Sequence, residues 1–163
     1  LDLNKTEYNK KVKINAVLRT GLNETIYINQ GQFPFFHLGV YANKRLSQKS
    51  GLQVGFDGFL SYFVKKQIEF RANSFPELSQ TINENTDFKR LGFFIGHELF
   101  ISKISIITQA GVYLYKPFND DNRLFYQRVG IKYYFSEKWF VVTSLKTVFS
   151  VAEAAEYGIG IRF

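Results

Sequence analysis

The stretch Ala154-Ala155-Glu156-Tyr157-Gly158-Ile159-Gly160-Ile161-Arg162-Phe163 decides how the rest of the chain is read. With a period of two, Ala155, Tyr157, Ile159, Ile161 and Phe163 share one face of a strand. Ala154, Glu156, Gly158, Gly160 and Arg162 share the other. One face is oily and ends in an aromatic ring; the other is small or charged. Such a strand fits between hydrocarbon on one side and a crowded polar interior on the other.

Working outward from it, seven further segments alternate in the same way. About Val12 to Leu22 sets Val12, Ile14, Ala16 and Leu18 against Lys13, Asn15 and Arg19. About Phe33 to Arg45 opposes Phe36, Leu38 and Val40 to His37, Gly39 and Tyr41. About Leu52 to Val64 opposes Leu52, Val54, Phe56, Leu60 and Tyr62 to Gln53, Gly55, Asp57 and Ser61. Phe88 to Ile101 turns Leu91, Phe93, Ile95 and Leu99 outward and Arg90, Gly92, Gly96 and Glu98 inward. Ile104 to Lys116, Leu124 to Phe135 and Trp139 to Ser150 complete the set, with Gln109, Arg128, Lys132, Ser144 and Lys146 on their polar faces.

The connections alternate as well. Leu46–Gly51, Ser102–Lys103 and Ser136–Lys138 are short polar turns, whereas Asn23–Gln32 and Lys65–Asp87 are long polar loops. Pro117–Asn122 is intermediate and Ser150–Glu153 brief. An even strand count with short turns on one side and longer loops on the other predicts an all-β, eight-stranded antiparallel transmembrane β-barrel. Residues 1–163 form one domain on this reading, with the termini and short turns periplasmic and the long loops extracellular.

Composition agrees. No run approaches the ~20 apolar residues of a transmembrane helix. Aromatic residues make up 18% of the chain, and barrels use such rings as girdles at the two water–lipid boundaries. Tyr62, Phe125, Phe135, Trp139, Phe149 and Phe163 are the girdle candidates. Cysteine is absent, which excludes disulfide and thiolate–metal frameworks. The net charge is +7, carried by basic residues spread singly along alternating strands. That spread does not make a groove-facing helix or a base-stacking platform, so nucleic acid is excluded as a partner and phosphate-bearing outer-membrane lipid is expected instead.

An eight-stranded barrel is just wide enough inside for side chains to fill it. The inward charged set is Lys13, Arg19, His37, Arg45, Asp57, Arg90, Glu98, Arg128, Lys132, Lys146, Glu156 and Arg162, with more cations than anions. These groups survive burial only by pairing, so an interlocked polar plug is expected, not a transport pore. No zinc spacing, phosphate-cradling glycine loop or serine elbow occurs, and neither metal nor cofactor is expected. His37 reads as part of the plug; His97 falls on the lipid-facing register toward the short-turn side. Glu156, Glu153 and His37 are the candidates for acid–base chemistry.

The terminal Phe163 resembles the end signature of bacterial outer-membrane proteins. Gly96-His97-Glu98-Leu99, Ile107 to Tyr115 (ITQAGVYLY), Tyr126 to Ser136 (YQRVGIKYYFS) and Glu156 to Phe163 together resemble the outer-membrane lipid A deacylase group of PagL type. They are most like its longer relatives, the acyloxyacyl hydrolases of Bacteroidetes-like bacteria. The likeness covers the last half of the chain well and the first half loosely. It implies an esterase that removes an acyl chain from lipid A (lipopolysaccharide) through His-x-Ser and a distant Glu. Here the corresponding region reads Ser144-Leu145-Lys146-Thr147-Val148-Phe149-Ser150, and no His-x-Ser occurs. Glu156 or Glu153 matches the acidic member, but a serine hydroxyl needs a neighbouring base to attack an ester.

Either the chain is the C-terminal portion of a longer enzyme, or it is a non-catalytic relative serving as a structural or accessory subunit of an outer-membrane complex. The second is the expectation, with a lipid A esterase as the alternative. A small adhesin-like barrel is the third reading, resting on Asn23–Gln32 and on Lys65–Asp87 with its Arg71, Phe75 and Pro76.

Overall fold

A strand with one oily face and one polar face leaves its backbone edges unpaired, and in lipid only closure of the sheet satisfies them. The computed structural model describes residues 11–24, 31–74, 86–118, 123–149 and 151–163. Its strands are β1 (Val12–Glu24), β2 (Gln32–Arg45), β3 (Ser50–Ser61), β4 (Lys89–Ile101), β5 (Ile104–Tyr115), β6 (Phe125–Tyr134), β7 (Trp139–Val148) and β8 (Val151–Arg162). Each pairs antiparallel with its sequence neighbour, and β1 pairs with β8 through Leu18↔Ile159 and Ala16↔Ile161 to close the barrel.

The period-two pattern sorts side chains between two environments. Leu38, Ile95, Val129 and Ile159 stand on the outer wall, each roughly half exposed. Arg19, Asp57, Glu98, Lys132 and Glu156 are fully buried inside. This inverts a water-soluble protein and makes hydrocarbon the fitting surroundings of the outer wall. Phe125 and Phe149 mark the long-loop end of that wall, and Phe135, Trp139 and Phe163 the short-turn end, all exposed. The ~33 Å of strand between Phe125 and Phe135, tilted by ~40°, leaves an apolar band ~25 Å tall.

Inward aromatics lie across inward glycines. A Cβ on Gly111 would stand 2.3 Å from the Tyr126 ring, and one on Gly160 2.2 Å from the Phe140 ring. Each glycine thus makes room for the ring opposite it.

The sequence expectation of a loop over Lys65–Asp87 is wrong at its start. Residues Tyr62–Ser74 form a helix, α1, and the third strand ends at Ser61 instead of running on to Val64. Phe63, Val64, Gln67 and Ile68 are the buried residues of α1, the i, i+1, i+4, i+5 spacing of one helix face. Phe63, Val64 and Ile68 cluster with Phe118, and Phe33 and Phe88 pack alongside, which caps the long-loop mouth with apolar side chains. Tyr62 is therefore the first residue of the helix, exposed and tilted against Phe88 at 5.8 Å, and not a strand residue. The last strand is also longer than the ten closing residues: it starts at Val151, so Glu153 is a strand residue and not part of a connection. Phe75 and Pro76, the other features of the long loop, lie outside the described residues.

Candidate functional site

The interior has three linked layers. In the middle, Arg128 donates from Nη1 to Asp57 (2.8 Å) and Gln109 (2.9 Å), and from Nε and Nη2 to Glu156 (2.6 and 3.2 Å). Tyr126 also donates to Asp57 (3.0 Å) and Ser144 to Glu156 (2.8 Å). Arg19 lies 3.7 Å from both carboxylates, and none of its guanidinium nitrogens makes a hydrogen bond among the described residues.

Toward the short turns, Glu98 accepts from Asn43, Gln53 (2.6 Å), Ser105 (2.5 Å), Lys132 (3.2 Å) and Tyr134 (2.7 Å). Gln109 donates to Gln53 at 2.7 Å and so joins this layer to Arg128. Lys132 also donates to Tyr41 (2.7 Å), and Arg162 donates to Tyr134 and to Asn15 (3.1 Å). Toward the long loops, Glu153 is held by Lys146 and by Arg90 (3.3 Å), and Lys146 donates to Tyr113 (2.6 Å). Lys13 and Arg45 stand half-buried at the short-turn mouth, with Arg45 3.8 Å over the Phe100 ring. Buried charges tolerate low dielectric only when partners meet them in this way.

Of the acid–base candidates, the structure brings His37 and Glu156 together and sets Glu153 apart on Lys146 and Arg90. His37 Nδ1 is 2.7 Å from Glu156 Oε1, and its Nε2 is 3.5 Å from the Ser61 hydroxyl. Ser61, the last residue of β3 before α1, joins these candidates only in the structure. Its signal in the sequence is its place on the inward register with Gln53 and Asp57. Acid on Nδ1 and serine on Nε2 is the connectivity of a nucleophilic triad. The three groups are enclosed by rings and charges. His37 is stacked on Phe35 and edge-on to Phe59, both at 4.5 Å. Ser61, His37 and Glu156 are 3%, 2% and 0% exposed. Both oxygens of Glu156 are shared with Arg128, so the carboxylate that meets His37 also meets a guanidinium.

A second serine–histidine contact lies on the outer wall, where Ser50 Oγ and His97 Nε2 are 2.7 Å apart near the short turns. No carboxylate is bonded to that imidazole among the described residues. His97 also borders a shallow lipid-facing groove with Leu52, Ile95, Thr108, Ala110 and Val129. Among the described residues no three potential metal ligands come together.

No curated protein matches the chain. Among solved structures, a de novo designed transmembrane β-barrel is similar at TM-score 0.48 and 14% identity, over 96% of this chain and 97% of that one. Neisserial surface protein A is similar at TM-score 0.48 and 12% identity, over 93% and 95% of the two chains. The family model described as acyloxyacyl hydrolase, C-terminal domain, matches residues 12–163, nearly the whole chain. This outer-membrane β-barrel belongs to that family.

Proposed function

We propose that the chain is a non-catalytic member of its family, a lipid-facing structural or accessory subunit of an outer-membrane complex in contact with lipopolysaccharide. The observation that carries this reading is that the interior acid–base groups are already engaged with one another. Glu156 is shared among Arg128, Ser144 and His37. Lys146, which stands where the resemblance places a histidine, is held by Glu153 and Tyr113. An ammonium so held has no lone pair with which to take a proton from serine. In this reading the long loops face outside and the short turns and termini face the periplasm. Purified barrel incubated with lipopolysaccharide in mixed micelles is expected to release no fatty acid above a buffer blank. Release that disappears on substitution of a residue of this chain overturns the proposal. A membrane-impermeant lysine label on intact cells is expected to reach Lys65 and Lys66 and to miss Lys103.

One observation favours a second reading, an esterase. The Ser61–His37–Glu156 contacts of 3.5 and 2.7 Å have the order a serine nucleophile requires. A fluorophosphonate probe distinguishes the two: the esterase reading requires covalent labelling lost in Ser61→Ala, and the structural reading requires none.

A further inference from the structure

We propose that the short-turn rim is a docking collar for anionic glycerophospholipid head groups; this rests on the membrane-spanning reading of the barrel. The net charge of +7 is not evenly placed. At the short-turn end Lys44, Lys49, Lys103 and Lys138 are exposed, and none of the four side chains is in an ion pair among the described residues. Glu137 is the one exposed acidic side chain described there. Just inside the same mouth Arg45 and Arg162 both lie over the Phe100 ring, at 3.8 and 5.9 Å, so the positive potential of the rim is reinforced from within.

The opposite end is compensated. Lys66 pairs with Glu69 at 2.6 Å and Arg90 with Glu153 at 3.3 Å. The connections on that side also contain Glu77, Glu84, Asp120 and Asp121 in sequence.

Position selects the ligand. Lys44 falls on the outward row, paired with Val12 and Leu52. Lys138 directly precedes the outward Trp139, and Lys103 the outward Ile104. The ammonium groups therefore stand one step beyond the hydrocarbon edge, with their alkyl stems free to lie along it. Head-group phosphates occupy that level. A zwitterionic lipid offsets its phosphate with its own cation; a net-anionic phosphodiester does not, and each lysine near such a surface favours it about fivefold before screening. A soluble polyanion has no reason to contact the lipid-facing Lys44.

Trp139 is the single tryptophan and lies in the collar, so its fluorescence reports on this rim alone. The barrel is reconstituted in mixed phosphatidylglycerol–phosphatidylcholine vesicles, with one or the other lipid brominated on its acyl chains. The phosphatidylglycerol form is expected to quench Trp139 with a relative affinity of at least about fivefold at low salt, falling toward one at about 0.5 M salt. Joint replacement of Lys44, Lys49, Lys103 and Lys138 by Gln is expected to move the ratio most of the way toward one, Arg45 and Arg162 holding the remainder. Joint Lys65→Gln, Lys66→Gln and Lys89→Gln at the other end should leave it unchanged. A wild-type ratio near one, a preference undiminished without the collar lysines, or equal loss in the far-end variant overturns the proposal. Should the collar variant not fold, the wild-type salt series decides alone, since a ratio insensitive to salt also overturns it. Absence of quenching by either lipid would instead mean that Trp139 does not face lipid, and the membrane-spanning reading itself would fail.

Discussion

Arg128 is the side chain whose removal tests the interior network most severely. Arg128→Met keeps much of the volume but deletes the bonds to Asp57 (2.8 Å), Glu156 (2.6 and 3.2 Å) and Gln109 (2.9 Å). Asp57 then retains Tyr126 at 3.0 Å and Arg19 at 3.7 Å. Glu156 retains His37 at 2.7 Å, Ser144 at 2.8 Å and Arg19 at 3.7 Å. Two buried carboxylates are left sharing one guanidinium that hydrogen-bonds neither, and removing one partner of a buried ion pair costs about 3–5 kcal/mol. Glu156→Gln in the same chain removes one of those stranded charges and should restore about 1–3 kcal/mol. Denaturant unfolding in phospholipid vesicles, followed by Trp139 fluorescence and by the gel shift between folded and unfolded barrel, measures both. Gln127→Leu is the control, one residue away and on the lipid-facing side, and should stay within about 0.5 kcal/mol. A loss below about 1 kcal/mol for Arg128→Met, or one no larger than that control, would refute the plug as a source of stability.

Gly111→Ala drives a methyl group into the Tyr126 ring at 2.3 Å and should cost about 1–3 kcal/mol, whereas Gly58→Ala, whose nearest contact is the Leu38 carbonyl at 3.9 Å, should be neutral in the same unfolding assay. Leu145→Arg places a guanidinium on the outer wall between Val129 and Ala155 and should cost about 2–4 kcal/mol in vesicles. Val64→Asp buries an unpaired carboxylate in the apolar cap, where Val64 is wholly buried. It should make the chain around α1 sensitive to limited proteolysis while the strands stay protected.

The barrel was legible because every strand meets lipid on one side and the plug on the other, so period two holds along the strands, broken by register shifts at Leu91/Gly92 and Lys146/Thr147, the second of which turns Glu153 inward against the alternation. Val129 and Arg128 differ by one position and by their entire environment. The helix was not legible because Tyr62-Phe63-Val64 continues the apolar run of the third strand, and Lys65-Lys66 then reads as the start of a loop. The stripe that marks it includes Gln67, a polar residue buried against the mouth. Which inward charges meet was also beyond sequence reading: Arg128 and Asp57 are far apart in the chain and on strands that are not neighbours, and alternation says only that both point inward. The approach of Ser61 to His37 is hidden for the same reason, since it depends on the register Phe35↔Ser61 across β2 and β3.

The chain contains no native cysteine, so single cysteines can be placed along β6 and spin-labelled without background. Labels at Phe125, Gln127, Val129, Ile131 and Tyr133 in bilayers should be accessible to oxygen dissolved in the hydrocarbon. Those at Tyr126, Gly130 and Tyr134 should be shielded from it, giving a period of two along the strand. Uniform accessibility, a period of 3.6, or water-soluble relaxants reaching Val129 would contradict an apolar wall around a charged core.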